Sequence, residues 1–390
     1  MPTKYLTTPF ARDETTQRSY KFGGGANTIT TKNGILDDLD PKFEPYSIGY
    51  LINAGGGDDS ISGSDIGAPG SGVGDTLIGG TGSDTISGGL GDDTIFGGNE
   101  DGTDGGKGKD PVVSNNLTGD NEKVLFDGGT YTGGNDTIFG GNGVTNNIYG
   151  DVRLTVVFSA GDSFFGGDDT LTGGDSTAND MAFNNIFGDA RSVFFTAGDG
   201  ANGESFTGGD DTLTGGNGAA NLLFGDIQSF SHDGDFTGGN DTLIGGANGS
   251  NTMIGDISSG GPGNTVTGGD DRLVSGENSN DFMTGDFGSG VTATTLTGGD
   301  DTFVFGVDNG LDTITDFELA EFDGDEVVID KHDVVELNGI VGVDDFLDDI
   351  KDNFTDSDGN TVLDLGGGNQ ITFIGLSGAD FSADDFIFAA

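Results

Sequence analysis

Phe206-Thr-Gly-Gly-Asp-Asp-Thr-Leu-Thr214 reads again as Phe236-Thr-Gly-Gly-Asn-Asp-Thr-Leu-Ile244. It returns as Val266-Thr-Gly-Gly-Asp-Asp-Arg-Leu-Val274 and as Leu296-Thr-Gly-Gly-Asp-Asp-Thr-Phe-Val304, each copy 30 residues after the last. Midway stands a second marker, Gly-Asp followed by a large apolar residue, at Asp226-Ile227, Asp256-Ile257 and Asp286-Phe287. Acidic markers therefore alternate at 15-residue steps from Asp211 to Asp301. A fixed period of this size, with glycine and aspartate in register, describes stacked coils and not an ordinary globular core.

The letters of one coil say how it folds. Gly208-Gly209-Asp210-Asp211 and Gly215-Gly216-Asn217-Gly218 are expected to supply glycines for turns with positive φ, and the short β-favouring runs Thr212-Leu213-Thr214 and Leu222-Leu223-Phe224 point one or two side chains inward. One coil buries almost nothing, so stability has to come from stacking Leu213 on Leu243, Leu273 and Phe303. Strands in such a stack lie about 4.8 Å apart, and the aspartates of a column are then close neighbours as well. At that distance two carboxylates repel by roughly 1 kcal/mol in water and about 3.5 kcal/mol at an effective dielectric near 20. Summed over a column, the repulsion exceeds the stability of a normal domain. The stack needs cations between its turns.

Working outward, the same phrase occurs earlier at Gly133-Gly134-Asn135-Asp136 and Gly166-Gly167-Asp168-Asp169, and the second marker at Gly150-Asp151 and Gly188-Asp189. The spacings of 33 and 42 residues, from Asp136 to Asp169 and on to Asp211, place the extra length in a third leg, which tolerates insertion as surface loops do. A three-legged coil is the expectation from a period of 30. Asn146, Asn147 and Asn221 stand where aspartate would fall and are expected to stack as amides in place of metal sites. Nearer the N-terminus the period shortens to nine: Gly79-Gly80-Thr81-Gly82-Ser83-Asp84-Thr85-Ile86-Ser87 runs directly into Gly88-Gly89-Leu90-Gly91-Asp92-Asp93-Thr94-Ile95-Phe96. Both fit G-G-x-G-x-D-x-U-x throughout, and Ala54 to Ser62 fits with one substitution.

Composition bounds the rest. Of 390 residues 66 are acidic and 14 basic, a net charge of −52, which makes nucleic acid and anionic membrane poor partners. The 78 glycines in register and the 29 phenylalanines argue against a disordered acidic chain. There is no cysteine, hence neither disulfide nor thiolate zinc site. No apolar run reaches 18 residues, so no membrane-spanning helix is expected. The first ten residues show no apolar signal segment.

The chain divides by pattern into an N-terminal cap or arm (1–53), a repeat solenoid (54–306) and a terminal segment (307–390). Lys107, Lys109, Pro111 and Lys123 interrupt the repeats, and about 99–131 reads as an inserted loop. In the terminal segment Phe346, Leu347, Ile350 and Phe354 have helical spacing, while Val362-Leu-Asp-Leu, Ile371-Thr-Phe-Ile and Phe386-Ile-Phe read as strands.

The nonapeptides at 79–96 resemble the RTX, or haemolysin-type calcium-binding, proteins of bacterial type I secretion. The terminal segment, with Asp312-Thr-Ile-Thr-Asp-Phe, Val362-Leu-Asp-Leu-Gly and Asp384-Asp385-Phe-Ile-Phe, looks like the serralysin-type C-terminal domain. The resemblance implies an all-β parallel β-roll or β-helix solenoid of Gly/Asp-rich repeats, closed by a small mixed C-terminal cap. It implies an uncleaved C-terminal export signal, an extracellular location and several calcium ions held by aspartate carboxylates and glycine-loop carbonyls. That role carries over to Asp59, Asp84 and Asp93 with Gly55, Gly57, Gly80, Gly82, Gly89 and Gly91. It extends to Asp75, Asp136, Asp169, Asp211, Asp241, Asp271 and Asp301, where the fourth-position glycine or the spacing departs, and by the second marker to Asp151, Asp189, Asp226, Asp256 and Asp286.

The serralysin likeness raises a protease, and the sequence answers it. The two histidines, His232 and His332, cannot form H-E-x-x-H, and no G-x-S-x-G occurs. Paired carboxylates also suit a glycosidase, but repeated Asp-Asp columns favour calcium. The expectation is a secreted, non-enzymatic structural protein that folds and self-assembles on calcium as a surface-layer, matrix or adhesion component. The alternative is a ligand-binding module for carbohydrate, including cell-surface or matrix polysaccharide, or for ice, the latter on the column Thr207, Thr237, Thr267 and Thr297.

Overall fold

A computed structural model describes residues 3–5, 18–21, 28–30, 50–63, 74–98, 113–125, 129–159, 161–176, 181–195, 203–231, 234–319, 322–323, 326–327, 332–340, 342–343 and 345–389. Its chain winds through three long sheets, and successive coils pair strand on strand in parallel. The first sheet has 14 strands and the second 12. Thr212–Thr214 pairs with Thr242–Ile244 so that Leu213 faces Leu243, and Leu273 and Phe303 follow in the same row. All four are fully buried, as are Leu223, Met253, Met283 and Ile314 from the first sheet. The expected apolar stack is thus the core between the first two sheets, and the chain is an all-β parallel solenoid.

The third leg is not a single side of a triangle. Ile227–Ser231 leaves the junction and Asp235–Thr237 returns to it. Both belong to a third, 10-stranded sheet that curls until Ile257–Thr267 serves both halves. The curl encloses a second core of Phe164, Phe206, Phe230, Phe236 and Val266. A coil therefore has four strands where three legs were expected. The reason is in the residues: Phe230 and Phe236 are both apolar, and a thin leg buries them only by folding back on itself. Rings repeat along this column, with Phe164 4.7 Å from Phe206 and Phe206 5.4 Å from Phe236.

The stretch read as an inserted loop needs correction. Residues 99–112 lie outside the described residues, but Ser114–Thr118 is a strand of the first sheet, paired with Thr85–Ser87 and Thr145–Tyr149. Asn115 and Leu117 point inward with the other coils, so the stack has already resumed by Ser114. The basic residues that broke the pattern do not stop alternation within this strand.

Both ends join the same sheets. Thr3–Tyr5 and Arg18–Lys21 start the first and second sheets. Leu311–Ile314 and Val334–Asn338 continue them beyond residue 306, and an antiparallel meander of Phe354–Ser357, Asn360–Gly366 and Asn369–Phe373 finishes the first. The expected helix shrinks to a π turn at Phe346–Ile350 and a 3-10 turn at Lys351–Asn353. Phe346 and Ile350 are buried, but Leu347 faces solvent and Phe354 already starts a strand, stacked 4.9 Å from Phe381. No helix among the described residues is long and apolar enough to cross a membrane.

Candidate metal centre

In each coil the segment from Thr212 to Phe224 runs out along the second sheet and back along the first. This excursion returns Asp226 to the junction where Asp211 began, which is why markers 15 residues apart meet in space. Two aspartate columns follow the junction along the stack. The first runs through Asp75, Asp93, Asp136, Asp169, Asp211, Asp241, Asp271 and Asp301. In it each main-chain N–H donates to Oδ1 of the next aspartate, at 2.7 Å from Asp211 to Asp241. The second contains Asp151, Asp189, Asp226, Asp256 and Asp286, which accept the N–H groups of Gly167, Gly209, Gly239, Gly269 and Gly299.

Those bonds use only part of each carboxylate. Oδ2 of Asp136, Asp169, Asp211, Asp241 and Asp271 is buried and has no hydrogen-bond partner, and the same holds for one oxygen of Asp151, Asp189 and Asp256. Burial, reinforced by neighbouring carboxylates, holds Asp136, Asp169, Asp189, Asp241, Asp256 and Asp271 well above the usual carboxylate range. Burial, with a smaller push from neighbouring carboxylates, raises Asp151 and Asp226 to about 7, and Asp286 likewise. Among the described residues Arg153 and Arg272 are engaged elsewhere, with Glu122 and Glu336. An orphaned buried carboxylate oxygen is costly unless a donor or a cation meets it.

Glycine makes room beside each orphan. A side chain built on Gly188 would lie 1.6 Å from the carbonyl of Gly225 and 1.9 Å from Oδ2 of Asp211. Gly150, Gly225 and Gly255 repeat the arrangement with Asp169, Asp241 and Asp271. A carboxylate oxygen and a main-chain carbonyl from the next coil thus converge on one space that only glycine leaves open. Hard oxygen donors of this kind suit calcium. Among the described residues no three acidic or histidine side chains gather at a point. A site here would draw one or two carboxylates and fill the rest with main-chain carbonyls.

The nonapeptides differ. Gly55, Gly57, Gly80, Gly82, Gly89 and Gly91 all have positive φ, from 98° to 124°, the left-handed turn their pattern requires. Asp75 and Asp93 head the first column, whereas Asp59 and Asp84 lie at the opposite corner of the roll. Asp59 N–H donates to Asp84 and Asp84 N–H to Asn115. From there the row is amide: Asn115, Asn146, Asn184, Asn221 and Asn251, each Nδ2 donating to the next Oδ1. The row ends at Asp281, which accepts from Asn251, Ser275, Ser279 and the Gly276 N–H. The asparagines stack as expected, each Nδ2 supplied with an acceptor.

Three column members escaped the sequence reading. Asp120 heads the second column, accepting from the Tyr131 hydroxyl at 2.9 Å and from the Gly134 N–H at 3.0 Å. It lay inside the supposed loop, although Gly119-Asp120 is the same Gly-Asp marker. Asp316 takes the N–H groups of Gly285 and Asp286, and Asp333 takes that of Asp301. Counting 30 residues on from Asp286 finds Asp316; the change of composition after Gly306 hid it. Of the two histidines, His332 reaches only a carbonyl, that of Asp384, and His232 lies outside the described residues.

The family model of the RTX calcium-binding nonapeptide repeat, in four copies, matches residues 69–104, 132–144 and 207–222. A comparison with curated proteins finds no match.

Proposed function

From a chain that carries RTX haemolysin-type calcium-binding repeats, we propose a secreted, non-enzymatic structural protein that calcium folds and that then self-associates as a surface-layer, matrix or adhesion component. The observation that carries this is the pair of buried aspartate columns with an oxygen left over on Asp136, Asp169, Asp211, Asp241 and Asp271 and on Asp151, Asp189 and Asp256. Bound calcium supplies the positive charge and oxygen coordination that those columns lack. Asp136, Asp169, Asp211, Asp241, Asp271 and Asp301 would hold it with Asp151, Asp189, Asp226, Asp256, Asp286 and the carbonyls of Gly188, Gly225, Gly255 and Gly285. The chain's own residues orient these oxygens through their N–H donors, and the two apolar cores exclude water on either side.

Extracellular calcium modules bind at roughly 10⁻⁴–10⁻³ M. In a low-calcium cytosol such a chain stays open, and it folds outside because binding free energy becomes folding free energy. Export by a type I apparatus that reads the terminal segment from residue 307 onward is part of this proposal. Circular dichroism and calorimetry, with calcium and with chelator, test the central point. A β spectrum and melting point unchanged by chelator would refute it.

A second reading, a ligand-binding module for carbohydrate or ice, draws on the in-register rows of threonine. Thr207, Thr237, Thr267 and Thr297 align along the third sheet, and Thr94, Thr137, Thr170, Thr212 and Thr242 along the second. A glycan array and an ice-recrystallisation assay separate it from the structural role.

A further inference from the structure

The strand Phe287–Thr297 is 11 residues long and closes the third sheet. Among the described residues it pairs only with Ile257–Thr267, leaving its other edge open. We propose that two copies of the chain pair edge to edge along this strand, antiparallel about a two-fold axis. This rests on the reading that the folded protein self-associates, and it names the surface.

The strand itself supplies the first argument. Natural edges are blunted by charge, proline, bulges or shortness. Edge strands of the other two sheets follow that rule: Thr3–Tyr5 carries Lys4, Arg18–Lys21 two basic residues, and Phe354–Ser357 carries Asp356. Phe386–Ala389 is only four residues long. Phe287-Gly-Ser-Gly-Val-Thr-Ala-Thr-Thr-Leu-Thr297 has no ionisable side chain and no proline; its register shifts against Ile257–Thr267 come before Ala293, and Thr295, Leu296 and Thr297 pair in regular register. In a molecule of net charge −52, an uncharged edge is a place where like-charged copies approach at least cost. An antiparallel pair lines the strand up with its own sequence, and since that sequence has no ionisable side chain no charge is buried.

The second argument is the unfinished column beneath it. Phe206 and Phe236 are 1% exposed and Val266 0%, whereas Leu296, the next residue of that row, is 47% exposed. The main core ends differently, with Phe303, Phe305 and Val335 fully covered by the terminal segment. The third sheet has no such cover among the described residues. The strand is also suspended between Asp286 and Asp301, late members of both columns, so filling those columns fixes both its ends and presents the edge.

The test is sedimentation of the full chain in saturating calcium. Thr292 and Thr294 are exposed and belong to neither column. The wild type is expected to sediment as a dimer. Thr292→Lys with Thr294→Lys, and Thr292→Glu with Thr294→Glu, are each expected to sediment as monomers with unchanged circular dichroism. An equimolar mixture of the two variants is expected to recover the dimer by charge pairing. Variants that dimerise like the wild type overturn the edge while leaving self-association standing. Filaments in place of dimers overturn the two-fold pairing. A wild type that stays monomeric overturns the self-association reading and this proposal with it.

Discussion

The main-chain N–H of Asp241 donates to Oδ1 of Asp271, one coil on, at 2.7 Å, while Oδ2 of Asp271 is buried beside Gly255 with no partner. One carboxylate thus performs two tasks: it fixes the turn of its neighbour, and it offers an unpaired oxygen to the junction. The two tasks are separable by mutation.

Asp241→Asn keeps an oxygen for the Asp211 N–H and removes the charge. Calcium stoichiometry by titration calorimetry should fall, and the melting temperature in calcium should drop. In chelator the same variant should match or exceed the wild type, because a buried unpaired carboxylate that costs about 1–3 kcal/mol is gone. Equal destabilisation in both conditions would show that the carboxylate serves geometry only.

Gly188→Ala drives a methyl group to within 1.6 Å of a carbonyl and 1.9 Å of a carboxylate oxygen. Since the obstructing atoms are backbone and a tethered side chain, coils must separate, and a loss above about 3 kcal/mol is expected from overpacking and the broken ladder. Gly306→Ala, with nothing within 4 Å, is the control and should leave the denaturation midpoint in place.

Without a cation, pH should act against the usual direction for carboxylates. Asp84, Asp151 and Asp226 are raised to about 7 in the fold, against about 3.9 in an unfolded chain. Below about pH 4 both states hold the proton and no penalty arises. Between about 4 and 7 the unfolded chain releases protons that the fold retains, so stability falls as pH rises and levels off above 7. Urea denaturation in chelator at stepped pH checks this. Stability that rises from pH 4 to 7 in chelator would contradict it.

Asn146 shows where a cation is not needed. Its Nδ2 donates to Asn184 and to the carbonyl of Gly141, and its Oδ1 accepts the Gly141 N–H. Asn146→Asp removes both donations and places a charge in the fully neutral row. A loss of about 2–4 kcal/mol is expected, read as a lower melting temperature that added calcium does not restore.

Magnesium demands octahedral geometry and sheds water reluctantly, whereas the junction offers rigid carbonyls from glycine turns. Far-ultraviolet circular dichroism should therefore show folding at millimolar calcium and little change at the same concentration of magnesium. Equal response to both ions would point to charge screening.

Much of this was legible from Phe206 to Asp301, because the period is constant there: the Leu213 row, the two aspartate markers and the parallel stack all follow from counting. The amide row was visible as Asn146 and Asn221. The doubled third leg was not, since its length varies between coils and periodicity cannot say whether Phe230 and Phe236 face one core or two. Asp120, Asp316 and Asp333 were lost where composition changed while geometry did not. A lysine-bearing stretch and a glycine-poor one mask the marker, yet the sheets continue through both.

The ladder of N–H groups has a consequence for how coils depend on one another. In the first column each N–H reaches a carboxylate of the coil that follows, as that of Asp211 reaches Asp241, while one residue earlier the direction reverses, the Asn240 N–H reaching Asp210 and the Asp300 N–H reaching Asp270. Asp316 and Asp333 belong to a segment that has its own aromatic cluster of Phe317, Phe373 and Phe381, and they take the N–H groups of Asp286 and Asp301. Neighbouring coils therefore close one another's turns in both directions, and no turn is complete on its own.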